Sequence, residues 1–157
     1  MIISLGSVLT LVAIAIAVGL PGCGSSFGVG LVGQAGAGVV SEDPDKFGQI
    51  LLLQIVPGTQ GIYGVLAGLM IMLQAGFLSG AAVDIDPLKG WAYIAAALPI
   101  GIVGMVSAFY QGKVAASGVG ILAKRPGEMG KAILFAAMVE TYAILSLFVS
   151  VLLILRL

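Results

Sequence analysis

Apolar residues run along this chain in four long blocks, roughly Leu5 to Val40, Phe47 to Leu78, Leu88 to Leu122 and Met129 to Leu155. Three short polar clusters separate them: Ser41-Glu42-Asp43-Pro44-Asp45-Lys46, Asp84-Ile85-Asp86-Pro87 and Lys124-Arg125-Pro126-Gly127-Glu128. Each block exceeds the ~20 residues a helix needs to cross about 30 Å of hydrocarbon at 1.5 Å per residue. Backbone polar groups in a bilayer must be satisfied within the segment, so spans this apolar form helices. Connections this short join antiparallel neighbours. The pattern predicts an all-α, multi-pass membrane protein of four transmembrane helices. Its first and third turns share one face, and the termini share the other with the second turn.

The blocks also repeat. At an offset of 82 residues, Phe27, Gly30, Gly36, Gly38, Pro44, Gly48, Thr59 and Ile62 recur as Phe109, Gly112, Gly118, Gly120, Pro126, Gly130, Thr141 and Ile144. Equivalent positions lie two spans apart, so both halves are helical hairpins in the same orientation, a parallel duplication. We divide the chain into a first hairpin, 1–78, and a second, 79–157, within one compact membrane unit. Glycine crowds the first span: Gly19, Gly22, Gly24, Gly28, Gly30, Gly33, Gly36 and Gly38. Bare faces let helix backbones approach in lipid. This many glycines suggest a helix packed on more than one side, as on the inside of a closed ring of identical subunits.

Composition narrows the field. The 157 residues are 60% hydrophobic and 9% charged, with zero net charge and no histidine. Soluble domains carry about a quarter charged residues, so the chain belongs in the lipid bilayer. No basic cluster points to nucleic acid. Lacking histidine, and with its few carboxylates mostly near turns, the chain does not suit zinc. Lys46, Lys113, Lys124, Arg125 and Lys131 lie toward the face of the first and third turns, against Lys89 and Arg156 on the other. That bias puts turns 41–46 and 124–128 in the cytoplasm and both termini outside a cell membrane.

Three signals weigh less than they first suggest. Gly28-Val29-Gly30-Leu31-Val32-Gly33 matches a dinucleotide fingerprint, but it lies within an apolar helix instead of after a strand, and reads as a packing face. The chain has no phosphate-loop ending, hence no nucleotide site. Leu20-Pro21-Gly22-Cys23 has the form of a lipoprotein processing site, yet no Lys or Arg precedes it, and Gly22 and Cys23 continue a helix to Val40. Lys113 can extend its ammonium toward the polar boundary and lipid phosphate.

The chemistry centres on Glu140, the single charged residue in the apolar run from Ile133 to Leu155. An unpaired acid at a bilayer centre costs at least ~2.5 kcal/mol, so it marks a functional site and needs partners. In the second span, Pro57 removes a helical hydrogen bond and predicts a kink that frees carbonyls, including those of Leu53 and Val56. Thr59, Gln60 and Tyr63 follow it, and Gln111 adds an amide from the third span. Counted from the nearest turn, Thr59, Gln111 and Glu140 lie about sixteen, fifteen and fourteen residues deep, a common level about 21–24 Å in. Three spans thus bring hard oxygen donors to mid-membrane, suited to a proton or an alkali cation. One carboxylate and one cation make a neutral site that can face lipid.

In these residues the chain resembles the rotor proteolipid, the K or c subunit, of vacuolar and archaeal-type rotary ATPases in its duplicated four-helix form. The resemblance covers essentially the whole chain. It is strongest in Leu53-Gln54-Ile55-Val56-Pro57-Gly58-Thr59-Gln60-Gly61-Ile62-Tyr63-Gly64, in Gln111-Gly112-Lys113-Val114-Ala115-Ala116 and in Phe135 to Leu145, and is closest to the bacterial sodium-translocating members. It implies a closed ring of identical subunits turning against a stator membrane subunit with an essential arginine. The ring would be attached to the central-stalk subunits of the ATPase head. It also implies Glu140 as ion carboxylate, Thr59, Gln60 and Gln111 as side-chain ligands, the Val56 carbonyl as a further ligand, and Tyr63 holding the site shut through Glu140. Leucine is common in the family where this chain has Val56. The second hairpin alone carries the acid, since Glu140 aligns with Gly58 at the 82-residue offset.

Sodium is the expected ion. A proton site needs one buried acid, and polar groups buried without a role carry a desolvation cost. Sodium needs several oxygens, and these residues supply about five. The alternatives are the same ring carrying H+, a stand-alone ion channel or secondary carrier, or a membrane protein without a transport role. Inverted repeats mark many carriers, whereas these repeats are parallel. The chain is then a non-catalytic, ion-translocating subunit of an ATP-driven pump.

Overall fold

The computed structural model describes residues 4–79 and 84–157. Four helical stretches, Leu5–Glu42, Pro44–Gln74, Pro87–Lys124 and Pro126–Ile154, are each long and apolar enough to cross a membrane. Helix α1 occupies the whole first stretch, Leu5–Glu42. Ser4 caps it, its Oγ accepting from the Ser7 N–H at 3.2 Å. Pro21 sits buried within α1, and the helix continues through Gly22 and Cys23.

The second stretch is interrupted. Helix α2, Phe47–Ile55, passes into a 3-10 turn over Val56–Gly58, from which α3, Thr59–Gln74, resumes. Pro57 is the cause, since its nitrogen donates nothing and its ring crowds the preceding turn. Helix α3 stops four residues short of the expected end at Leu78. Gly76 takes a left-handed φ of +79°, and the Ala75 N–H returns to the Ile71 carbonyl. A further 3-10 turn, Phe77–Ser79, crosses the expected hairpin boundary at 78/79. Residues 80–83, at the start of the expected second hairpin, and 1–3, at the start of the first, lie outside the described residues.

The third stretch holds a feature that the apolar pattern did not predict. Helix α4, Pro87–Leu98, joins α5, Gly104–Lys124, through a π turn over Pro99–Val103. Pro99 disturbs the ladder there, and Ser150 Oγ accepts the Ile100 N–H at 3.1 Å. Ser150 belongs to α6, Met129–Ile154, the uninterrupted fourth span.

The duplication is visible in the backbone. Asp43 (φ −139°, ψ 88°) and Arg125 (φ −144°, ψ 80°), 82 residues apart, leave their helices in the same conformation. Their N–H groups return to the carbonyls of Val39 and Ile121, and each precedes a proline-led 3-10 turn. The chain is thus two duplicated helical hairpins.

Helix α1 packs against α3, α4 and α5, and α5 also packs against α6. Lipid offers no hydrophobic drive between helices, so close backbone approach holds them. A Cβ on Gly112 would strike the Gly28 backbone. The core forms two apolar clusters at different depths, one around Ala17, Ile71, Tyr93 and Ile100, the other around Val32, Leu53, Val119 and Ala136. Between them lies a polar layer. Outside, α6 exposes Leu134, Phe135, Met138, Leu145 and Phe148, as a surface solvated by lipid requires.

Candidate ion-binding site

Within the polar layer, three helices each supply residues four apart, hence on one face: Thr59 and Tyr63 on α3, Ser107 and Gln111 on α5, Ala136 and Glu140 on α6. Gln60 and Gln111 are fully buried. A buried amide has to find partners for both ends. Gln60 Nε2 donates to Gln111 Oε1 at 2.6 Å and to Ser107 Oγ at 3.3 Å. Gln111 Nε2 donates to the Ala136 carbonyl at 3.1 Å and to Glu140 Oε2 at 3.3 Å. The other carboxylate oxygen, Oε1, accepts from Tyr63 Oη at 2.6 Å. A phenol and an amide thus hold the half-buried carboxylate. Both are neutral, so its bonded partners among the described residues leave its charge unbalanced.

The 3-10 turn shapes the near side. The Val56 carbonyl accepts both the Thr59 N–H and, at 3.1 Å, Thr59 Oγ1. Thr59 Oγ1 also lies 3.4 Å from Gln60 Oε1. The Val56 carbonyl, Thr59 hydroxyl and Gln60 carbonyl therefore form one group of oxygens, with Glu140, Gln111 and Tyr63 in a second. The Gln60–Gln111 bond and a side-chain interaction between Thr59 and Tyr63 link them. Thr59 and Val56 make no direct bond to Glu140, because the turn after Pro57 offers the hydroxyl a carbonyl three residues back.

Two serines complete the layer and were not singled out from the sequence. Ser107, nearly buried, donates to the Val139 carbonyl at 3.0 Å while receiving Gln60. Ser25 accepts the Gly61 N–H at 2.9 Å, tying α1 to α3 one residue after Gln60. They are equivalent in the repeat, 82 residues apart, and Ser107 precedes Gln111 by one turn. Those two coincidences were the available signal.

Elsewhere, Lys113 Nζ lies 4.3 Å from the Phe109 ring centroid and 5.3 Å from that of Tyr110, so aromatic faces receive its charge. At the turns, Lys46 Nζ donates to the Ala123 carbonyl at 2.8 Å and pairs with Asp43 at 3.2 Å, tying the first turn to the end of α5.

The profile of the ATP synthase C-subunit family matches this chain twice, over residues 12–71 and 94–153, segments again 82 residues apart. The V-type sodium ATPase subunit K of Enterococcus hirae is 45% identical over 151 residues, covering 96% of this chain and 93% of that protein. The A-type ATP synthase subunit K of Methanocaldococcus jannaschii is 39% identical over 146 residues, covering 93% of this chain and 61% of that longer protein.

Proposed function

Because this chain belongs to the ATP synthase C-subunit family, as a duplicated proteolipid similar to the K subunits, we propose that it is the rotor-ring subunit of a V-type ATPase that carries Na+ across the membrane. Glu140 is the ion carboxylate. Thr59, Gln60, Gln111 and the Val56 carbonyl are the remaining ligands, and Tyr63 closes the site. The observation that carries this reading is the continuous bonding from Tyr63 through Glu140, Gln111 and Gln60 to Ser107, which spans three helices between two apolar clusters. Turning an amide about its last bond exchanges donor for acceptor. Gln60 and Gln111 can therefore present oxygen to a cation from the positions in which they now donate. The 45% identity to a V-type sodium ATPase subunit supports Na+ over H+.

The chain binds no nucleotide and catalyses no bond change; it carries charge. Na+ on Glu140 makes the site neutral, so it rides past lipid without the cost of a bare carboxylate. A stator membrane subunit supplies the essential arginine, which replaces Na+ as counter-charge where the ion leaves. A unit charge across 100 mV is worth about 2.3 kcal/mol, so one ATP can drive several ions. One carboxylate per four helices lowers the ions carried per turn, a gearing suited to pumping.

Copies assemble as a closed ring of hairpins 1–78 and 79–157. Both termini lie outside the cell membrane, and turns 41–46 and 124–128 face the cytoplasm. Glu42, Asp43, Lys124, Arg125 and Glu128 form a repeated polar crown there that meets the central-stalk subunits. The test is Glu140→Gln, which keeps size and hydrogen bonding but removes the charge. ATP-driven Na+ uptake into vesicles should disappear while the oligomer still assembles. Normal pumping by that variant would refute the mechanism.

A further inference from the structure

Charge is sparse inside the spans. Lys113 and Glu140 are the two charged residues that lie more than three residues from a polar turn or a chain end. They have opposite sign and a common depth. Lys113 stands thirteen residues before Pro126 and Glu140 fourteen after it, a difference of about 1.5 Å along the helices. Among the described residues neither has a charged partner. The ion pairs there, Lys46–Asp43 and Lys131–Glu128, lie at the first and third turns, and Glu140 is bonded to a phenol and an amide.

Lys113 does not reach for the nearer boundary. A lysine close to a helix end extends its ammonium to the interface, but turn 124–128 begins eleven residues further on. Its Nζ is turned back instead, 4.3 Å from the Phe109 ring centroid and 5.3 Å from that of Tyr110, four and three residues earlier on α5. Tyr110 walls an apolar groove of about 390 Å³ whose other walls include Ser107 and Val139. Those two are bonded to each other at 3.0 Å, and Ser107 also receives Gln60, so the groove lies directly behind the ion site. Gln111 is buried in the site while Lys113 is exposed. Side chains two apart on a helix do not face each other, so ammonium and carboxylate lie on opposite sides of α5.

We infer that Lys113 is a built-in counter-charge that weakens Na+ binding at Glu140 and speeds Na+ release. The ammonium stabilises the bare carboxylate and repels the bound cation. Both effects act through a helix and an apolar groove, where salt screens them little. Across one helix diameter, about 10–12 Å, two unit charges at an effective dielectric of about 20 interact by roughly tenfold in a binding constant. The two aromatic faces stabilise the ammonium at that remove, so it trims affinity without occupying the oxygens that Na+ needs. A transported ion must be held firmly enough to enter and loosely enough to leave. The stator arginine then displaces an ion already loosened.

This inference rests on the Na+ rotor reading and adds a residue that sets its affinity. Lys113→Met keeps an aliphatic stem and removes the charge. In the detergent-extracted oligomer, 22Na+ should bind roughly tenfold tighter and exchange more slowly by a similar factor. In vesicles, ATP-driven Na+ uptake should reach half its maximum at lower Na+ and level off at a lower rate. Lys113→Gln should do the same, and Lys113→Arg, which keeps the charge, should behave as the wild type. Lys89→Met is the control. Lys89 Nζ also lies over a ring, 5.8 Å from the Tyr93 centroid, but about 33 Å along the span from the level of Gln111; its loss should leave Na+ binding unchanged. An intact oligomer in which Lys113→Met binds Na+ as the wild type does, or more weakly, overturns the inference. So does Lys113→Arg binding as tightly as Lys113→Met, which assigns the effect to packing on the rings. A wild-type oligomer that binds no Na+ would overturn the Na+ reading itself, and this inference with it.

Discussion

Tyr63 Oη donates to Glu140 Oε1 at 2.6 Å, joining residues 77 apart in the chain and the first hairpin to the second. The phenol belongs to α3, just beyond the turn that Pro57 imposes, and the acid to the uninterrupted α6. The bond therefore crosses from the half without an intramembrane carboxylate to the half that carries Glu140.

Tyr63→Phe removes that donor and leaves the ring. A hydrogen bond to a charged group contributes about 1.5–3 kcal/mol, which is roughly ten- to hundredfold in an equilibrium constant. Bound Na+ should exchange with external 22Na+ faster by about that factor, while the oligomer stays intact. Unchanged exchange would deny Tyr63 its closing role.

Ser107→Ala leaves the Val139 carbonyl without its side-chain donor and Gln60 with one partner fewer. An unsatisfied buried polar group costs about 1–3 kcal/mol. The variant should lose Na+ affinity by roughly tenfold or more and melt at a lower temperature. A wild-type titration by calorimetry would show that Gln60 needs no such support.

Gly112→Ala forces the helices apart, because its Cβ would overlap the Gly28 backbone. Overpacking costs typically about 1–3 kcal/mol, so heat should dissociate the detergent-extracted oligomer at lower temperature. Gly120→Ala on the same helix meets nothing within 4 Å. There the gain in helix propensity, up to about 1 kcal/mol, should leave stability equal or higher. Equal melting of the two variants would argue against close approach at Gly112.

Much of this architecture is legible in the sequence because bilayer thickness sets the length of each apolar block. The repeated proline after each polar turn reports the same exit geometry at Asp43 and Arg125. Counting residues from those turns brings Thr59, Gln111 and Glu140 to one level, because helix rise is constant. Rise says nothing about rotation. The separation of Thr59 and Val56 from Glu140 depends on the 3-10 turn after Pro57, a local choice of hydrogen bond that spacing does not encode. Serine is common in membrane helices, so Ser107 and Ser25 stand out only once the repeat is used to compare them. Pro21 continues its helix while Pro99 opens a π turn, a difference that depends on neighbours such as Ser150.

The most direct test of the central claim, that Glu140 carries Na+, is its labelling by a hydrophobic carbodiimide, which attacks only the protonated carboxyl group. Na+ and H+ compete for the same oxygens, so Na+ should protect Glu140. The Na+ needed for half-protection should rise as pH falls, approaching about tenfold per pH unit where protonation dominates. Labelling that ignores Na+ at every pH would contradict the account and leave the proton as the ion this site carries.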